Sequence, residues 1–111
     1  MYAVVRLYTT QSGSAEEVFE QVEREFADRV PQRVGALLYT AVDTGDGSAL
    51  TVTLFADEQA ADRSEAAVAQ VQQSLGARFG IEETGVRRGA VMVSRGDAAV
   101  ARPVGIGDRR S

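Results

Sequence analysis

Apolar positions at the start of the chain fall on a period of two. Ala3, Val5 and Leu7 share one side, and Tyr2, Val4, Arg6 and Tyr8 share the other, which predicts a β-strand from Tyr2 to Tyr8. The polar run TTQSGS breaks it. The period then lengthens to four. Ser14 with Glu17 makes an S-x-x-E capping box, and Val18, Val22 and Phe26, flanked by Phe19 and Val30, form one stripe; these predict a helix that ends before Pro31. A second strand is expected from Val34 to Val42 and a third from Ala49 to Phe55. Between them DTGDGS carries Asp46-Gly47, the pair that a tight hairpin turn favours. Asp57 is the expected N-cap of a second helix running to about Arg78, with Ala60, Ala61, Ser64, Val68, Val71 and Leu75 as its apolar stripe and Gly80 as its stop. EETG reads as a connector, and Val86 to Ser94 as a fourth strand. From Gly96 the pattern has no period.

The order β-α-β-β-α-β predicts an α+β, ferredoxin-like fold: a four-stranded antiparallel sheet with two helices on one face. One domain is expected over residues 1–95, with a C-terminal tail or arm over 96–111. Two helices cover one sheet face only. The more aliphatic face, with Ala3, Val5, Leu7, Val34, Ala36, Leu38, Val42, Leu50, Val52, Leu54, Val91 and Val93, is expected beneath them. The other face then carries all three tyrosines, with Val4, Arg6, Thr51, Thr53 and Phe55. Aromatic residues with one arginine are interface composition, and so large an apolar patch is unusual on a monomer. The expectation is a homodimer joined through that face, with the tail crossing to the partner.

Charge and composition narrow the function. The formal net charge of −4 and pI of about 4.8 disfavour nucleic acid and anionic lipid. An RNA-recognition sheet would share the strand order, but its aromatic signature is missing from SALTVTLF. No apolar run reaches the ~20 residues of a membrane span, and MYAVVRLYTT does not read as a signal peptide; a cytoplasmic location is the expectation. The chain has no Cys, His, Trp, Lys or Asn, so disulfides, thiolates, His-based triads and soft-metal sites are out of reach. Asp43 and Asp46 do not match a calcium loop either, because Leu54 stands where its closing Glu belongs.

MYAVVRLY, GSAEEVFEQVE, GALLYTAVDTGDGSALTVTLFAD and EQAADRSEAAVAQVQQSL together resemble the dimeric α+β barrel superfamily. Within it the chain is similar to small antibiotic-biosynthesis-monooxygenase-like proteins, over about residues 1–95. The resemblance implies a homodimer, a small apolar or aromatic ligand held between sheet and helices, and cofactor-independent oxidation of it. Haem degradation, another activity in the superfamily, needs His, Asn and Trp, which are absent. The candidate catalytic residues are Arg6, to neutralise an oxyanion, and Tyr8 and Tyr39, to orient a ring hydroxyl. No cofactor and no metal are expected. Two alternatives stay open: Arg6 pairs with a carboxylate while the tyrosines pack in the dimer seam, and the protein is a non-catalytic ligand-binding or dimerisation module.

Overall fold

The computed structural model describes residues 1–10, 15–24, 35–102 and 104–105. Strand β1 runs over Tyr2–Thr10, helix α1 over Ala15–Val22, β2 over Leu38–Gly45, β3 over Ser48–Phe55, α2 over Glu58–Phe79 and β4 over Ile81–Ala90. The strands form one antiparallel sheet in the order β2-β3-β1-β4. The α+β, ferredoxin-like arrangement expected from the pattern is the one observed. Ser14, Phe26, Val30, Pro31 and Val34, invoked for the limits of α1 and β2, lie outside the described residues.

Local signals account for the element ends. Asp57 is extended and its carboxylate accepts from the Ala60 N–H at 2.8 Å, so it caps α2 as expected. Gly80 closes the helix at φ 65°, with its N–H on the Gly76 carbonyl. Asp46 and Gly47 both have positive φ, 55° and 75°, as a tight hairpin with the sheet's own twist requires. The fourth strand corrects the sequence reading. It begins at Ile81, directly after Gly80, and EETG is part of it. Its polar side chains hide the strand because they face solvent and the polar end of the site; the Thr10 N-terminal neighbours on β1 pair with it backbone to backbone. Val91 to Ser94, expected within this strand, follow it without regular structure.

The larger correction concerns the sheet faces. Both helices lie on the face of Tyr2, Val4, Arg6 and Tyr8. Val4 and Phe55 are its most buried residues at 3% and 1% exposure, and they form the core with Val18, Val22, Ala61 and Leu75. Ala3, Val5 and Leu7 point to the open face, where Leu7 and Val42 are exposed. The period of two assigns residues to faces but leaves undecided which face is inward, and aliphatic character was the wrong criterion. The helix-covered face needs polar side chains because it also lines a pocket.

After β4 the chain continues through a short 3-10 turn, Ala98–Ala101. At Gly105 a Cβ would run into the Glu23 carboxylate of the same chain. The described end of the tail therefore lies against its own chain, at the residue that follows α1.

Candidate functional site

Small residues on the sheet make room for the site. Ala41, Ala49, Thr51 and Thr53 occupy the helix-facing side of β2 and β3, where larger side chains would fill the gap under the helices. Val18, Phe19 and Val22 of α1 and Val68, Val71 and Leu75 of α2 roof it. The result is a largely apolar pocket of about 100 Å³, open on one side, of the order of the ~150 Å³ cavity that holds one benzene ring. The alanines of α2 contribute differently: Ala61 is fully buried, which brings helix and sheet together, while Ala66 and Ala69 are exposed.

Arg6, Tyr8 and Tyr39 all line this pocket. They lie under the helices, so the sheet face expected to join two copies is covered within the single chain. Arg6 and Tyr8 are two apart on β1, hence on one side. Tyr39 on β2 pairs with Thr53, and Thr53 pairs with Val4 across β3, which sets its ring on the same side.

Two further residues, Gln72 and Glu83, complete the polar end. β4 has a register shift against Leu7 and Tyr8: Leu7 pairs with Gly85 but Tyr8 pairs with Glu83. The extra residue, Thr84, bulges, and its hydroxyl donates to the Leu7 carbonyl at 3.3 Å. Without the bulge, alternation would send Glu83 to the open face; with it, Glu83 turns toward the helices. The Arg6 guanidinium donates to Glu83 Oε2 at 3.1 Å and to Glu65 Oε1 at 3.0 Å. Gln72 Nε2 donates to the same Glu83 oxygen at 2.5 Å and to the Tyr8 hydroxyl at 2.9 Å. Neither residue was a sequence candidate. Gln72 is one of many polar residues on a helix, and Glu83 sat in the segment read as a connector. A surplus residue between two paired strands becomes visible only once the pairing is known.

The pairing of Arg6 with carboxylates matches the plainer of the two sequence readings of that residue. Its side chain is only 11% exposed, so the two carboxylates offset a charge that is largely out of water. Arg88 extends the charge ladder outward, bonding Asp62, Glu65 and the Tyr2 hydroxyl and lying over the Tyr2 ring at 5.2 Å. These contacts raise its affinity for its proton.

The two pocket phenols are both held protonated. Burial raises Tyr8, against the opposing influence of Gln72 and Arg6. Burial, with the neighbouring Tyr8, pushes Tyr39 up to about 12. At neutral pH both are hydrogen-bond donors and neither is a base. Among the described residues, no cluster of acidic side chains could hold a metal ion, and no helix is long and apolar enough to cross a membrane.

No family model matches this chain, and no curated protein matches it by sequence. Solved structures do. HapK from Hahella chejuensis superposes with a TM-score of 0.67 at 13% identity, over 88% of this chain and 99% of that one. A Deinococcus radiodurans protein named for antibiotic biosynthesis monooxygenases gives 0.65 at 17% identity, over 87% and 98%. SnoaB from Streptomyces nogalater, a cofactor-independent oxygenase, gives 0.61 at 18% identity, over 84% and 94%. Identities this low speak to architecture: the chain shares the ferredoxin-like α+β fold of these structures.

Proposed function

We propose that this protein binds a small apolar or aromatic molecule in the pocket between sheet and helices. One observation carries the reading: a largely apolar cavity lined by a few polar side chains, among them Arg6, Tyr8, Tyr39 and Gln72. That is the usual make-up of a small-molecule site. The activity in keeping with the fold, and with the oxygenase among its structural neighbours, is oxidation without a cofactor. An activated ring CH₂ would lose a proton to water at the pocket mouth. The electron pair left on carbon would join O₂, and the resulting hydroperoxide would lose water to leave a ketone, so that R₂CH₂ and O₂ give R₂C=O and H₂O. Tyr8 and Tyr39 would donate to the ring oxygen on which negative charge develops. Arg6, with two of its five N–H donors on carboxylates, would supply positive charge beside it.

A non-catalytic ligand-binding protein is the second reading. It is favoured by the same polar end: the charge of Arg6 is already offset by Glu65 and Glu83, and neither phenol is a base at neutral pH. A screen of aromatic polyketides separates the two. The chain has no Trp, so its emission comes from three tyrosines, two of which line the pocket. Quenching followed by oxygen uptake supports the enzyme. Quenching without uptake supports the binding protein, and no quenching by any ring compound removes both.

The open face of the sheet has its own occupant in this proposal. Ala3, Val5, Leu7, Leu38, Val42, Leu50, Val52 and Leu54 form a continuous aliphatic surface. A second copy covers it, sheet against sheet, at the ~10 Å spacing of packed sheets.

A further inference from the structure

The polar end of the pocket has a hydrogen-bond direction fixed by its neighbours. A carboxylate only accepts. The end of Gln72 that approaches Glu83 Oε2 at 2.5 Å is therefore its NH₂ group. The same nitrogen lies 2.9 Å from the Tyr8 hydroxyl, so its second N–H is donated to the phenol oxygen. Tyr8 accepts from Gln72, and its own proton is left for another partner. Thr51 also reaches this oxygen, but a rotating hydroxyl both gives and accepts; the amide is what sets the direction. The device depends on the β4 bulge, which turns Glu83 toward Gln72, and on Arg6, which holds the carboxylate from its other side at 3.1 Å. Tyr39 adds a second phenol in the same pocket, and among the described residues its hydroxyl has no hydrogen-bond partner.

Building on the pocket reading above, we propose that the site selects ring compounds bearing an accepting oxygen, a ketone or a phenolate, which receives the protons of Tyr8 and Tyr39, and that Gln72 is the positioning residue that aims the Tyr8 proton into the pocket. A purely hydrocarbon ring fills the same space but leaves the Tyr39 donor unpaired, and a buried donor without a partner is costly.

The test uses two probes of nearly equal size, acetophenone and ethylbenzene, titrated calorimetrically into the intact protein. Acetophenone is expected to bind about tenfold more tightly, the worth of a hydrogen bond or two made out of water. The infrared carbonyl stretch of bound acetophenone is expected below its value in hexane, a signature that packing alone does not produce. In Gln72→Glu the added carboxylate accepts the Tyr8 proton, so the ratio of acetophenone to ethylbenzene affinity should shrink severalfold. Equal affinity for the two probes in the wild type, or an unshifted carbonyl stretch, overturns the inference and leaves the pocket reading intact. A preference undiminished in a folded Gln72→Glu overturns the role of Gln72. Failure of both probes to bind removes the pocket reading itself. If Gln72→Glu does not fold, the wild-type affinity ratio and carbonyl stretch still decide the selectivity.

Discussion

Tyr39 shows how a single side chain is tuned by its place in the fold. In an unfolded chain its phenol ionises near the ordinary value of 10; folded, burial and Tyr8 push it up to about 12. The folded state thus holds the proton more tightly. Its contribution to stability is complete below pH 10 and is lost as pH rises through about 12. Between those limits stability should fall by about 1.4 kcal/mol per pH unit from this group. The chain has no Cys and no Lys, but Tyr8 is raised by burial as well and adds to the fall. Urea unfolding at pH 9, 10 and 11 should show the fall, and Tyr39→Phe should make it shallower. An equal slope in both proteins would mean that the phenol is not buried as described. The candidates Arg6, Tyr8 and Tyr39 were legible as the polar members of one sheet face, because alternation is a property of the backbone. Their partners Glu65, Gln72 and Glu83 were not, because each comes from an element 59 or more residues away in the Arg6 and Tyr8 bonds that matter.

At the scale of elements, α2 and β4 make the contrast clear. Helix α2 was readable at both ends, since a capping carboxylate and a left-handed glycine act within a few residues of chain. Asp57→Ala should cost about 1 kcal/mol, read as a lower urea midpoint at unchanged slope; no change would mean that the Ala60 N–H finds another acceptor. Strand β4 was misread because its pattern is broken by its bulge. Removing Glu83 tests what the bulge delivers. In Glu83→Ala, Arg6 would lose one of its two carboxylates and Gln72 its charged acceptor. The expected loss is about 3 kcal/mol, as for removing a partner from a largely buried ion pair, read as a lower urea midpoint. A Glu83→Ala variant as stable as the wild type would show that Glu65 alone offsets the Arg6 charge.

For the molecule as a whole, the faces of the sheet set the partner. The helix-covered face supplies core and pocket, and the aliphatic face is left to solvent in the single chain. Val52→Glu places a charge in the middle of that open face, beside Val5, where the isolated chain tolerates it. Sedimentation at micromolar concentration should find wild type dimeric and Val52→Glu monomeric, with the far-ultraviolet circular dichroism of the fold retained. A monomeric wild type would leave the open face without the occupant proposed here. The tail enters at this scale too, since its described end at Gly105 meets Glu23 of its own chain.

By itself the sequence determined the kinds and order of the elements, the hairpin turn, both ends of α2 and the partition of strand residues between two faces. Each follows from interactions among residues close in the chain: backbone period, capping and glycine conformation. Tertiary structure alone decided which face went under the helices, where β4 began, and how Gln72 and Glu83 reached Tyr8. Those outcomes depend on how helix volume fits the small residues of β2 and β3 and on the register between strands far apart in sequence, and neither quantity is written in any local stretch of chain.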